Sequence, residues 1–367
     1  MKILLILVAC AVGQMPVAAQ ENNQPKGKLS GLMFGDYYYN ISRDGGLSGL
    51  PNSASASAAP GPTSMQAFQF RRIYLTYDYS ISDQFVTRLR FEADQGSDLL
   101  VGGKISDFVK DAYITWKNVF SGSNLTFGIQ PPPAYEISEA AWGYRSLEKT
   151  LMDLRSIVSS RDQGLSLKGR LAGDGVVNYW MMIGNNSANT PASAKYKRYY
   201  AQIHLKPSAT LQATLYGDYK AAPDIADPYH AGQSLANGVL TTALFIGSSE
   251  KDLYSVGAEG FVQSTSHGID NGSSLGTRTG LGLSVFGWYA VRPELAVVAR
   301  YDHLDPNTDA SAGGDVREYI IGGIDWKVEQ GVSVIPNLLV ETYQAPAGGK
   351  SPDASVTARL TVFYTFL

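Results

Sequence analysis

The feature that most constrains this chain is a two-residue alternation sustained over long stretches. In an extended strand successive side chains point to opposite faces. Phe85, Thr87, Leu89, Phe91 and Ala93 share one face, and Val86, Arg88, Arg90, Glu92 and Asp94 share the other. Tyr199, Ala201, Ile203 and Leu205 oppose Arg198, Tyr200, Gln202 and His204. Leu295, Val297, Ala299 and Tyr301 oppose Ala296, Val298, Arg300 and Asp302. The last stretch sets Val356, Ala358, Leu360, Val362, Tyr364 and Phe366 against Thr357, Arg359, Thr361, Phe363 and Thr365. Such segments run to about ten residues, whereas strands of soluble sheets average about five or six. Tilted strands of about nine to eleven residues are what a bilayer core requires.

Sixteen such segments start near Ser30, Gln66, Gln84, Phe108, Asn124, Gln163, Val176, Tyr196, Ala209, Gly238, Asp252, Thr279, Glu294, Val316, Val332 and Ser355. Glycine blurs the tenth and twelfth, so fourteen or eighteen strands also fit. The connections alternate short and long, the long ones including Ala221–Asn237 and Ser264–Arg278. That rhythm predicts an all-β, up-and-down antiparallel transmembrane barrel, with tight turns on the periplasmic side and longer loops outside. An even strand count places both termini in the periplasm.

Composition narrows the alternatives. Charged residues make up 17% of the 367 positions, against roughly a quarter in soluble domains. No apolar run is long enough to cross a bilayer as a helix. A soluble β-sandwich would crowd its buried face with Val, Ile and Leu, whereas here one face carries mixed Arg, Glu, Asp, Gln and Thr at strand centres. A formal net charge of −3 removes the basic excess that nucleic-acid binding needs.

The first nineteen residues read as a leader removed on export: Met1-Lys2, an apolar Ile3–Val12 and small residues at Val17 and Ala19. Leu7–Cys10 also fits a lipid-attachment box. Residues 20–29 then form a short periplasmic segment and 30–367 the barrel, a single domain. The Ser-, Ala- and Pro-rich stretch Ser53–Pro62 is a linker-like tract inside the first long connection.

The connection spanning residues 131–162 breaks the rhythm. Pro131-Pro132-Pro133 ends the fifth strand, since proline gives a sheet no donor. From Ser138 to Leu154 the pattern turns helical, with Ala140, Ala141, Leu147, Leu151, Met152 and Leu154 as apolar positions. A segment this apolar predicts a loop folded inward to narrow the lumen; a helix packed on top of the barrel is the alternative. Glu136, Glu139, Arg145, Lys149, Arg155 and Arg161 are the expected constriction residues, with Arg88, Arg90, Glu92, Asp94, Lys168, Arg170 and Arg198 on the lumen wall. Both signs are present, so selectivity depends on which groups line the narrowest ring.

Aromatic residues fit a membrane belt: Tyr37-Tyr38-Tyr39 near one end, and Trp116, Trp326 and Tyr364 near the other. Catalysis finds little support. His204, His230, His267 and His303 lie in different segments, and no nucleophile elbow or orienting acid accompanies them. Asp302, Asp305, Asn307 and Asp309 lack the closing Glu of a calcium loop and read as a solvated turn. No cofactor and no metal are expected.

LTFGIQPPPAYEISEAAWGYRSLEKTLMDL (Leu125–Leu154), above all Trp142–Thr150, resembles the third-loop region of the phosphate-selective porin O and P family. Phe70–Asp94, Phe108–Lys117 and Arg300–Asn307 are similar to strands of that family. The resemblance implies a sixteen-stranded trimeric outer-membrane channel whose third loop enters the pore. It does not carry over phosphate specificity, because Glu92, Asp94, Asp111, Asp218, Asp302, Asp325 and Glu341 share the inward face with the basic residues. The expected function is passive diffusion of small hydrophilic solutes and inorganic ions across an outer membrane, with membrane lipid around the barrel. An anion-selective channel for phosphate or polyphosphate, and a structural or adhesive barrel, are the rivals.

Overall fold

The computed structural model describes residues 27–45, 61–94, 100–101, 104–171, 173–309, 313–346 and 348–367. The expected leader, Cys10 and most of Ser53–Pro62 lie outside them. Sixteen antiparallel strands close into one barrel. In chain order they are β1 (Gly27–Ser42), β2 (Gln66–Ser80), β3 (Phe85–Asp94), β4 (Asp107–Phe120), β5 (Ser123–Gln130), β6 (Asp162–Arg170), β7 (Val177–Gly184) and β8 (Arg198–Leu205). There follow β9 (Leu211–Ala226), β10 (Ser234–Glu250), β11 (Tyr254–Asp270), β12 (Leu275–Arg292), β13 (Leu295–Asp305), β14 (Arg317–Glu329), β15 (Val332–Tyr343) and β16 (Ser355–Phe366). A two-stranded ribbon, Leu100–Val101 against Lys104–Ile105, sits between β3 and β4.

Every strand pairs with its sequence neighbour, and β1 closes the cylinder by pairing with β16 from Gly31 opposite Phe366 to Ser42 opposite Val356. Closure satisfies the backbone groups of what would otherwise be two edges, which a hydrocarbon surround demands. The alternation sorts side chains as expected: Leu215, Leu244, Val285 and Trp326 are exposed outside, while Arg198, Asp218, Arg300 and Arg359 are buried inside.

Two expected long loops are mostly strand. β9 continues to Ala226 and β10 starts at Ser234; β11 continues to Asp270 and β12 starts at Leu275. Register shifts at Ala222/Ile225 and Thr265/Ile269 carry the pairing through the polar stretches that read as loop. These hairpins raise one side of the wall, whereas β5, β7 and β8 hold eight residues each. At the N-terminus β1 starts at Gly27, inside the segment expected to precede the barrel. Tyr38 turns inward and is buried while Tyr37 and Tyr39 face out, so that triplet belongs to both faces.

Candidate pore constriction

Beyond β5 the chain turns into the lumen and stays there until β6. Its first helix, α1 (Glu136–Trp142), stops at Gly143, whose left-handed φ of 71° suits a residue without Cβ. A short α2 (Leu151–Leu154) follows. The single helical run expected over Ser138–Leu154 is therefore two pieces. Between and around them the wall supplies donors to several loop carbonyls. Arg71 donates to the carbonyls of Ser146 and Leu147 at 2.8 and 3.0 Å, and Arg359 to that of Leu147 at 2.6 Å. Arg300 donates to Lys149 O at 2.5 Å. Arg198 reaches Ile157 O at 3.1 Å, and Ser255 Oγ reaches Ala141 O at 2.7 Å. Charged donors on carbonyls are among the stronger hydrogen bonds, so a ring of guanidinium groups holds an irregular backbone in place.

The loop also brings its own core. Trp142, Leu147, Leu151 and Met152 are fully buried. Trp142 meets Phe286 edge-on at 5.6 Å and lies under the Arg300 guanidinium at 5.4 Å. Phe245, Phe286, Val298, Tyr319, Ile321, Ile335 and Leu339 complete this cluster from β10 and β12 to β15. A second cluster joins Leu151 and Met152 to Met182, Tyr200, Tyr216 and Phe261. Each large apolar side chain so buried is worth ~1.5–3 kcal/mol. The inward face accordingly carries apolar patches where the loop docks, between the polar donors named above, a departure from the polar inward positions that the alternation predicts.

A polar cavity remains on the other side, between the loop and β1–β4. A cavity of about 410 Å³ there is lined by Tyr74, Arg90, Lys110, Glu139, Arg145 and Arg161, with Lys28 toward the short-turn end. A larger space of about 1290 Å³ opens from the short-turn end below the loop and shares Leu32, Tyr74 and Arg145 with the first. Two β-bulges shape the passage. Phe34 pairs with Arg72 and Gly35 with Phe70, leaving Arg71 as the extra residue. Arg90 pairs with Asp111 and Phe91 with Val109, leaving Lys110 extra. A bulge puts two consecutive side chains on one face, so Arg71–Arg72 and Lys110–Asp111 all serve the lumen.

The charges are paired but unequally displayed. Arg145 bonds Glu139 and lies 2.7 Å from Asp153. Arg161 bonds Asp111 and lies 3.7 Å from Glu136. Lys110 is 2.9 Å from Glu92, which also holds Arg72 at 2.8 Å, and Arg90 is 3.4 Å from Asp111. Glu92 and Asp111 are each 1% exposed and Asp153 8%, so these carboxylates sit behind their partners. Among the described residues, Glu139 is the one acidic side chain that joins five cationic ones in lining this cavity. Burial raises the Glu136 carboxyl above its ordinary range, outweighing the nearby Arg161. Burial acts the same way on Asp153, but there Arg145, followed by Lys149, prevails and brings it to about 2.

The other expected site residues are dispersed. Arg155 pairs with Glu341 at 2.7 Å on the docking side, and Arg198 pairs with Asp218 at 2.6 Å under the loop. Arg88 pairs with Asp78 at 2.7 Å toward the short-turn rim. Lys168 lies over the Trp180 ring at 4.1 Å, and Asp94 is 3.5 Å from Arg72. Arg170 stands at the rim beside an outer-wall cavity rather than along the passage. Lys110, Tyr74, Arg71 and Arg72 are further lumen residues; Arg72 and Tyr74 follow the alternation of β2, whereas Arg71 and Lys110 break it, and a Lys-Asp or Arg-Arg pair inside an alternating strand is the trace a bulge leaves. His204 Nε2 lies 3.2 Å from Gln212 Oε1. Asp302 is engaged by Arg300 and Ser284, apart from the Asp305–Asn307 turn.

No protein-family model and no curated protein matches the sequence. Solved structures do match in fold. The outer membrane channel DcaP of Acinetobacter baumannii superposes with a TM-score of 0.66 at 13% identity, over 93% of this chain and 97% of that one. An anion-selective porin from Comamonas acidovorans gives 0.62 at 10% identity, over 93% and 99%. OprB of Pseudomonas putida gives 0.61 at 10% identity, over 93% and 94%. The fold is that of a bacterial outer-membrane porin.

Proposed function

We propose that the protein is an outer-membrane porin through which small hydrophilic solutes and ions diffuse passively. The observation that carries this is the shared lining of the two lumen cavities: Tyr74 and Arg145 border both the short-turn vestibule and the narrow passage. Such shared lining supports one lumen space reaching the charged loop residues, in keeping with a pore more than with a barrel plugged from the short-turn end. Orientation with both termini in the periplasm belongs to the same reading. So does a homotrimer, by analogy with a fold neighbour described as a trimer form, OmpT of Vibrio cholerae, which aligns with a TM-score of 0.53.

A second, narrower reading is anion preference, in keeping with the resemblance to phosphate-selective porins. It is favoured by the passage's five cationic side chains against one acidic one, with the compensating carboxylates buried behind. A charged group at a constriction acts through its local field and exposure more than through the net count. Single-channel recording in planar bilayers tests both. Conductance linear in KCl supports the pore, and a reversal potential toward chloride supports anion preference. Absence of any channel activity from folded protein removes the proposal.

A further inference from the structure

Outward positions on β6–β10 form cross-strand rows on the lipid-side wall. One row runs Leu165, Ile183, Tyr199, Tyr219, Leu240, all large and exposed. The adjacent row runs Leu167, Met181, Ala201, Gly217, Thr242, and its last three members are small. Ile203 and Leu215 flank it on the far side. Small residues between two large rows leave a furrow, and a cavity of about 740 Å³ occupies it and extends to Arg170 and Ser121 at the short-turn rim. From β6 to β10 the furrow crosses four strand spacings, about 19 Å.

The rim end is chemically different from the rest. Arg170 ends β6 in phase with the inward Ser166 and Lys168, but it is exposed at the rim, lies against Gly122 and Gly175 of two adjacent turns, borders the furrow cavity, and makes no side-chain ion pair among the described residues. The acid nearest in sequence, Asp174, accepts the Val176 N–H at 3.0 Å. A cation at the end of an apolar furrow fits a phosphate carrying a hydrocarbon chain. A second copy of this chain would need both a matching ridge and an acid placed at the rim.

We propose that this furrow binds one acyl chain of a phospholipid, with the lipid phosphodiester on the Arg170 guanidinium. The site rests on the reading of this barrel as membrane-embedded, but not on its conducting. The test is native mass spectrometry of the detergent-purified protein titrated with palmitoyl-oleoyl phosphatidylglycerol. Three chains are compared: the native one, Arg170→Glu, and Ala201→Leu with Gly217→Leu. At Gly217 an added Cβ meets only Thr241 O at 3.8 Å, so the filled furrow should fold even if the rim variant does not. The native chain should retain one lipid, and each variant should bind about tenfold more weakly. Equal retention by all three overturns the site. So does disulfide linkage of two copies through Thr242→Cys in a Cys10→Ser background, which assigns the furrow to a second chain. A protein that stays folded and monodisperse without detergent would instead fail the membrane reading itself.

Discussion

The two sides of the lumen are built by opposite rules. On the β10–β15 side an aromatic and aliphatic cluster, set among buried polar residues such as Ser255 and Arg300, carries the loop as a core carries a helix pair. On the β1–β4 side the inward residues are Arg, Lys, Asp and Glu, which bond charged and polar groups of the same loop around a cavity. One strand pattern serves both sides. What differs is how the inner face meets the loop, through a largely apolar cluster in one case and through ion pairs around a cavity in the other. A loop with an apolar flank and a charged flank therefore needs a barrel whose interior is divided the same way, and Trp142 and Arg145, three residues apart, point to the two halves.

The largest expected effect breaks the docking side. Trp142→Ala removes a fully buried indole and should cost ~3–5 kcal/mol of loop docking. Single-channel conductance should rise and become noisy, whereas Trp116→Ala on the outer wall should leave it unchanged. An unaltered conductance would mean that the loop does not set the passage. Next in size is a change on the charged side. Arg145→Glu with Lys149→Glu should shift permeability toward cations, measured as a reversal potential in a KCl gradient. Arg155→Gln should leave that potential where it was, because Arg155 is bound to Glu341 on the docking side. If Arg155 moves selectivity as much as Arg145, the two-sided lumen is wrong.

Much of this plan is legible in the sequence. Strand starts can be read to within a few residues, because a period of two is strong wherever one face meets lipid. The inward loop is legible from its proline stop and apolar content. Three things are not. Helix length is over-read because Arg71, Arg300 and Arg359, distant in sequence, take the carbonyls a helix would have used. The apolar inner patch is hidden because alternation says which residues share a face but not what that face touches; Phe245 and Phe286 look like lipid-facing residues until the loop is laid on them. Lys110 and Arg71 escape because a bulge shifts the phase by one, and alternation carried through it assigns the wrong side.

A smaller effect should appear with pH. Burial holds the Glu136 proton to a higher pH than usual, so acidification from neutrality neutralises this carboxylate before ordinary exposed ones. Its loss leaves Arg161 less compensated, and the anion-to-cation permeability ratio should increase as pH falls. Glu136→Gln should flatten that rise. Asp153 is held down to about 2 by Arg145, so its contribution to docking is present above the ordinary carboxyl range and fades only as pH falls toward that value. A ratio that instead drops on acidification would place the titrating group elsewhere.

The smallest expected effect separates docking from selectivity most cleanly. Ser255 on β11 donates to the carbonyl of Ala141 at the end of α1, on the docking side and away from the charged passage. Ser255→Ala removes that donor and leaves a buried carbonyl short of one partner, a cost of about 1 kcal/mol. The guanidinium ring and the Trp142 contacts remain, so the loop should stay in place. Hydrogen exchange should then quicken for amides of α1, such as Gly143 N–H on Glu139 O, by roughly fivefold, while the reversal potential stays constant. A selectivity change from this substitution would show that the docking side is mechanically continuous with the passage, and that the loop transmits displacement across its width instead of insulating one wall from the other.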